Sequence, residues 1–403
     1  MPCLRTLWCP LLVVGLLGGA LGCHSEPPPS STVAPDPVDT RPGSGQPFLH
    51  ATQDSVWFSW VAPVDSARHA LRYAVLDDTT WSAPTTVTTG TDWFVNWADV
   101  PSVRPLPSGR MAAHFLQSSG PDVYAYDVRI TQTAGGTWQP PLSPHDDGTQ
   151  TEHGFVTLLP HGANELMAVW LDGRKMADGG PMTLRSGVLD AQGRVVETTE
   201  LDGRTCECCP TTAVRTASGI VVAYRDRTAD EIRNISIVRY DGAQWSAPAL
   251  VHDDGWQISG CPVNGPALAA DGDRVAAAWF TGAEGQPRVQ VAMSTDGGRT
   301  FGDPVLIDGD APQGYVDAVL LDDGSTIVSW TDATDDGAAL RARHVTADGT
   351  TGPVRTLVDA LPAGRSGMPR MVRRDSDLVV AWVGPANDET QHARVGRIPV
   401  ASV

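Results

Sequence analysis

Short apolar runs that end on an aromatic residue punctuate the chain at near-constant intervals. The first four read Val56-Trp-Phe-Ser-Trp60, Met111-Ala-Ala-His-Phe115, Leu166-Met-Ala-Val-Trp170 and Ile220-Val-Val-Ala-Tyr224. Three more follow: Val275-Ala-Ala-Ala-Trp279, Thr326-Ile-Val-Ser-Trp330 and Leu378-Val-Val-Ala-Trp382. The terminal aromatics stand 55, 55, 54, 55, 51 and 52 residues apart. A shorter apolar segment and a turn precede each run, as in Ala318-Val-Leu-Leu-Asp-Asp-Gly324. After each of the first six come a loop, an alternating segment such as Arg288–Met293, a second turn and a fourth segment such as Pro304–Ile307. Short apolar runs bounded by turn residues predict strands, here four to a unit.

A four-stranded unit repeated seven times predicts an all-β fold, a β-propeller with blades packed radially around a channel. Each blade covers both faces of its neighbours, so inner strands are expected to be apolar throughout rather than alternating, as these runs are. The pattern favours seven blades, with six as the alternative. The seventh unit stops after its third strand, near Val395–Val400. A strand from residues 31–46 is expected to complete that blade and close the ring.

Composition adds the compartment and narrows the ligands. Residues 1–22 carry one charge, Arg5, and an apolar run from Leu11 to Leu21, which predicts a secretory signal too short to span a membrane. The ending Ala20-Leu21-Gly22-Cys23 resembles a bacterial lipobox. That resemblance implies cleavage before Cys23, lipidation of its thiol, and attachment to a bacterial membrane at the cell envelope. Residues 23–47 are rich in Pro and Ser and read as a tether, leaving 48–403 for the propeller. Lys175 is the only lysine, acidic residues number 47, and the formal net charge is −18. So acidic a chain is unsuited to nucleic acid, and an anionic ligand needs a local arginine cluster to hold it. The sequence has no Gly-rich phosphate loop, no H-E-x-x-H and no nucleophile elbow; no cofactor is expected, and a monomer is.

In a propeller, the segments leading into inner strands and the loops between second and third strands share one face. Unusual residues concentrate in those two classes. The leading segments hold Asp99, His153, Cys206, Cys208, Cys209, Cys261, Asn264 and Tyr315. The loops hold Asp172, Arg174, Arg225, Arg227, Glu231 and Arg233. Arginine forks hold carboxylate, sulfate or phosphate in two-point contact, but arginines beside acids also pair with each other. Both readings stay open for this cluster.

Ser294-Thr-Asp296-Gly-Gly298-Arg-Thr300-Phe301 resembles the Asp-box, S-x-D-x-G-x-T-[WF], found between the third and fourth strands of sialidase blades. There Ser294, Asp296, Gly298 and Phe301 have a structural role. The propeller as a whole resembles the sialidase superfamily, and within it a group of bacterial sialidase-like lipoproteins. The residues that carry this are His153-Gly-Phe155, Trp170-Leu-Asp-Gly-Arg174, Met182-Thr-Leu-Arg185, Cys208-Cys209, Tyr224-Arg-Asp-Arg227, Glu231-Ile-Arg233 and Gly260-Cys-Pro-Val-Asn-Gly-Pro266. Sialidases have six blades, a three-arginine carboxylate clamp, a tyrosine nucleophile helped by a glutamate, and an aspartate that serves the leaving group. By residue type the resemblance implies Glu231 and Tyr315 as the nucleophile pair and Asp99 as the acid. It implies Arg174, Arg225, Arg227 and Arg233 as anion ligands, with Asp172, His153 and Asn264 beside them. The Phe/Tyr-Arg-Ile-Pro motif that carries the first sialidase arginine is missing.

Four cysteines remain in the exported part: Cys206, Cys208, Cys209 and Cys261. In an oxidising compartment they allow two disulfides, with a Cys209–Cys261 bridge between adjacent blades as one pairing. A thiolate site for copper or zinc, with His153, is the other reading. Two functions follow. The first is a sialidase-like envelope protein that recognises, and in its catalytic form hydrolyses, an anionic glycan. The second is a non-catalytic binding or metal-handling propeller built on the cysteine cluster.

Overall fold

Every apolar run forms the second strand of an antiparallel blade, and there are seven blades among the described residues. The computed structural model describes residues 32–310, 312–335, 337–362, 367–385 and 390–403. The signal segment and Cys23 lie outside them. Blade one is Gly45–Ala51, Ser55–Pro63 and His69–Asp77, with Thr80–Trp81 and Thr85–Gly90 both paired to its third strand. Blade two runs Ser102–Pro105, Met111–Ser118, Tyr126–Ala134 and Thr137–Trp138. Blade three runs His153–His161, Glu165–Asp172, Thr183–Leu189 and Val195–Asp202. Blade four runs Thr212–Thr216, Gly219–Arg225, Ile235–Tyr240 and Ala249–His252. Blade five runs Ala267–Asp271, Arg274–Thr281, Arg288–Ser294 and Val305–Asp308. Blade six runs Pro312–Leu320, Thr326–Thr334, Gly337–Val345 and Thr351–Leu361, and blade seven begins Arg370–Arg374, Asp377–Pro385 and Gln391–Pro399.

The seven run-ending aromatics are buried, and four share one device. A buried indole N–H or phenol O–H needs an acceptor. Trp170 donates to Asp172 at 2.8 Å, Trp279 to Asp254 at 2.7 Å, Trp330 to Asp332 at 2.8 Å and Tyr224 to Asp202 at 2.5 Å. These aspartates are therefore part of the blade repeat. The Ser294–Phe301 turn closes by the same economy. The Asp296 carboxylate accepts the Arg299 and Thr300 backbone N–H groups at 2.8 and 2.9 Å, Ser294 bonds Asp296 at 2.8 Å, and Phe301 packs on the apolar core between blades four and five.

The ring closes through the N-terminal segment. Ala34–Pro35 pairs antiparallel with Gln391–Pro399, so the last blade takes its outermost strand from the beginning of the chain. The approach is tight: a Cβ on Gly396 would stand 2.2 Å from the Ala34 carbonyl oxygen. Val33 is buried beside blade six, and Asp36 accepts from Trp81 of blade one at 2.8 Å and from Arg397 of blade seven at 3.0 Å. Residues expected in the tether thus belong to the propeller, and Gly45–Pro47 already form blade one.

Burying Val33 beside blade six and joining blades one and seven through Asp36 contributes about 2–3 kcal/mol. Deleting residues 24–37 is expected to lower the melting temperature by about 5 °C. Thermal unfolding followed by circular dichroism checks this, and an unchanged Tm counts against the closure.

Candidate functional site

The register places the start of each inner strand beside the end of the second, as in His153 opposite Asp172. Leading segments and second-to-third loops therefore meet at one mouth of the channel. Inner strands start with a bend that puts Gln46, Phe155, Val263 and Tyr315 at positive φ, between 52° and 54°. The bend turns a backbone N–H or carbonyl away from its ladder, and a neighbouring blade supplies the partner. Asp99 accepts the Phe155 N–H at 2.7 Å, Asn264 the Tyr315 N–H at 2.7 Å, and Asp317 the Met371 N–H at 2.7 Å. Thr211 donates to the Phe155 carbonyl at 2.8 Å, and Gln46 donates to the Asn96 carbonyl.

This ring occupies two of the expected site residues. Asp99 is buried under Gly154, where a Cβ would stand 2.1 Å from its carboxylate. Burial, helped by the nearby Glu152 charge and opposed by the Phe155 N–H, raises its pKa to about 8. Asn264 is buried and ties blade five to blade six. Arg225 is a third strut. Its guanidinium is fully inside and donates to the Asn264, Arg233 and Phe280 carbonyls at 2.7 Å each, over the face of Trp256. It holds no free donor face for an anion.

The remaining expected residues separate into two groups. One holds Arg227, Arg233, Glu231 and the cysteines. Arg227 pairs with Glu207 and with Glu231 at 2.7 Å; Arg233 reaches Glu207 and Glu231 at 3.0 Å and the Cys206 sulfur at 3.3 Å. The two guanidiniums hold the Glu231 carboxyl down to about 2, so it is an ion-pair partner and not a base near neutral pH. Tyr315 turns its ring edge-on to Trp97, 5.5 Å away, and makes no pair with Glu231. Cys206 and Cys209 are joined, while Cys208 and Cys261 are free, with the Cys208 sulfur 3.9 Å from that of Cys206. The bridge is thus within the C-x-C-C segment, not Cys209–Cys261: three residues of chain can fold back on themselves before two blades need to be spanned.

The other group lies in blade three. His153 is buried and stacks on His145 with ring centroids 3.9 Å apart. Both rings face Asp147 at 3.3 Å. Arg174 forks onto Asp172 at 2.7 and 2.8 Å and also approaches Asp147. Burial works against the Asp172 charge, but the Arg174 hydrogen bonds outweigh it and its pKa lies below the usual carboxylate range. Arg174 and His153 are therefore in a different cluster from Arg227 and the cysteines.

Three residues without a place in the expected site carry chemistry. Glu152, half-buried, accepts from the buried Tyr126 hydroxyl at 2.6 Å, and burial lifts its pKa to about 7. Arg104 and Arg370 line the channel. A cavity of about 620 Å³ runs along the inner strands from Asp99 and Phe155 to Pro160, Arg215 and Arg373. Within it Phe48 of blade one stands between Arg104 of blade two and Arg370 of blade seven, 4.7 and 5.7 Å from their guanidinium carbons. Burial first, then repulsion from Arg370, lowers the Arg104 pKa to about 10, so Arg104 stays charged near neutral pH. His50 accepts from Arg104, and burial holds His50 and His114 well below their usual pKa, so neither adds charge. Strand alternation in Ser102-Val-Arg104-Pro105 was the only available signal for Arg104, since odd and even positions face opposite ways.

No protein-family model matches the chain, and neither does any curated protein. Solved structures match along nearly its whole length. The polysaccharide lyase Uly1 aligns with a TM-score of 0.55 at 9% identity, over 91% of this chain and 90% of its own. A protein of unknown function from Dyadobacter fermentans DSM 18053 aligns with a TM-score of 0.50 at 14% identity, over 93% and 98%. A neuraminidase-like protein from A/bat/Guatemala/164/2009 aligns with a TM-score of 0.48 at 11% identity, over 94% and 95%. At these identities the likeness is one of fold.

Arg225→Lys leaves at least one of three buried carbonyls without a donor and is expected to cost about 3 kcal/mol in urea unfolding. An unchanged midpoint would remove Arg225 from the structural ring. Asp99 and Glu152 keep protons in the folded protein at pH values where the unfolded chain has lost them. Their contribution to stability is complete below about pH 4 and is lost as pH rises towards about 8. Asp99→Asn, which keeps the acceptor for Phe155, is expected to flatten the fall in unfolding free energy between pH 5 and 8. A slope equal to that of the parent protein would contradict the buried acid.

Proposed function

We propose that this chain is an exported, lipid-anchored propeller that binds an acidic glycan, or a sugar acid of similar size, in its channel. We read it as a receptor rather than a sialidase-type hydrolase. The observation that carries this reading is the pair Arg104 and Arg370, both packed against Phe48. Two guanidiniums, from the blades on either side of blade one, repel each other inside one cavity, in a protein of formal net charge −18. Asp317 accepts the Met371 N–H and offsets part of the Arg370 charge, which leaves Arg104 without a carboxylate of its own. A bound carboxylate or sulfate relieves that repulsion, and Phe48 offers an apolar face to a sugar ring. A volume of about 620 Å³ suits a mono- or disaccharide. The polysaccharide lyase among the solved propellers of this shape agrees with a carbohydrate ligand.

Hydrolysis of the sialidase kind is not part of the proposal. Glu231 is held by two arginines, Tyr315 faces Trp97, and Asp99 caps a backbone N–H. The lipid anchor at Cys23 and the envelope location rest on the N-terminal sequence alone.

Calorimetric titration with uronic-acid and sialic-acid oligosaccharides tests the reading. Arg104→Ala and Arg370→Ala are each expected to weaken binding at least about tenfold while melting stays within about 2 °C. Binding that survives both substitutions would exclude the channel as the site.

A further inference from the structure

A cluster of histidines and aspartates lies at the junction of blades two and three, outside the channel lining, and the glycan reading does not use it. His153 opens the first strand of blade three, and Asp172 ends the second. His145 and Asp147 lie in the segment that joins blade two to blade three, and Asp127 lies in the third strand of blade two. The two imidazoles stack within 8° of parallel. Ligand atoms of Asp147, His153 and Asp172 lie within 4.8 Å of one another, as do those of Asp127, His145 and His153. We propose that His145, His153 and Asp147 form a zinc site that clips the connecting segment onto blade three.

Two buried atoms point to the ion. The His153 side chain is fully buried, and that of Asp147 is 9% exposed. His153 Nδ1 stands 3.2 Å from the Thr151 carbonyl, which only accepts, so in the neutral ring Nδ1 carries the proton and Nε2 a lone pair. That lone pair faces Asp147 Oδ2 at 3.3 Å, and neither atom makes a hydrogen bond. His145 Nδ1 stands 3.3 Å from the same oxygen. Two acceptors that face each other in the interior need a cation between them. A single proton would serve one ring; two rings on one oxygen form a chelate. Asp147 Oδ1 accepts the Thr149 N–H at 3.0 Å, which leaves Oδ2 turned to the imidazoles.

Donor set and spacing select zinc. Calcium and magnesium take oxygen ligands and copper(I) takes sulfur, whereas zinc takes imidazole nitrogen and carboxylate oxygen. Ligands about 2.05 Å from a tetrahedral centre stand about 3.3 Å apart, against about 3.0 Å around an octahedral one. Both nitrogen–oxygen separations here are 3.3 Å. Water fills the fourth position of a zinc that has three protein ligands. Parallel rings aim their lone pairs in parallel, so zinc entry tilts the His145 ring, which lies outside any strand. The outer groups suit a metal as well. The Thr151 carbonyl at 3.2 Å and Asp127 at 3.8 Å orient His153 through Nδ1. Asp172 stays with Trp170 and Arg174, its Oδ1 3.9 Å from His153 Nε2. Three carboxylates, Asp127, Asp147 and Asp172, against the one Arg174 guanidinium leave two negative charges, which a divalent ion cancels. Each metal bond forms from a ligand lone pair, and no electron is transferred.

The test uses the full-length protein, stripped with EDTA, dialysed and titrated with zinc chloride against a chromophoric chelator. Elemental analysis counts the metal, and thermal unfolding reads its effect. The expected result is one zinc per chain and a melting temperature raised by about 5 °C in excess zinc. His145→Gln and Asp147→Asn should each weaken zinc binding at least about tenfold. Asp147→Asn keeps an oxygen for the Thr149 N–H, so it tests the site even if a substitution of the buried His153 does not fold. Cys208→Ser, in the separate cysteine cluster, should keep the parent affinity. Failure to take up zinc, parent affinity in His145→Gln or Asp147→Asn, or preference for iron(II) over zinc would each overturn the proposal. So would zinc lost from a Cys208→Ser protein of unchanged melting temperature.

Discussion

The start of each inner strand is the constraint on which the rest of this propeller depends. Seven strands converge on one channel, and those of blades one, three and six bend as they pass from the rim into the blade. The bend takes backbone groups out of their ladder in a region that water does not fill, where an unpaired N–H costs about 1–3 kcal/mol. The next blade answers with a side chain: Asp99 for Phe155, Asn264 for Tyr315, Asp317 for Met371. Arg225 does the converse, collecting three carbonyls from blades four and five. The blades are thereby coupled at their narrowest point, and the short strand at Ala34–Pro35 can close the ring because the other junctions are already fixed.

That constraint decides what is left for chemistry. A polar residue at a propeller mouth is available to a ligand only if no neighbouring backbone or charge has claimed it. Asp99, Asn264 and Arg225 are claimed by backbone, Asp172 by Trp170 and Arg174, and Glu231 by two arginines. The groups still available in the channel are the Arg104 and Arg370 guanidiniums, both packed against Phe48. That pair suits an anion, and it is built from residues of different blades, as a site at the centre of a radial fold has to be.

The repeat of apolar runs was enough to predict the blades, their four strands, their number and the borrowed closing strand. Each of these depends on local periodicity and on spacing along the chain. The mouth was legible only as a region. The pairing of the cysteines was left open by their spacing, and the bridge formed is the one within a single loop, Cys206–Cys209. Arg104 and Arg370 drew no attention because nothing beside them in sequence is unusual. Phe48, the residue that makes them a pair, is 56 positions from one and 322 from the other.

The sequence by itself determined the architecture, because strand period, turn residues and a repeat near fifty residues act over distances shorter than one blade. Only the tertiary structure decided which polar groups serve the fold and which remain free. A hydrogen bond between blades depends on where the backbone bends, and an electrostatic pair on which inner strands are neighbours in the ring. Blade seven and blade one touch although the chain between them is almost the whole protein, and that closure sets Arg370 beside Phe48.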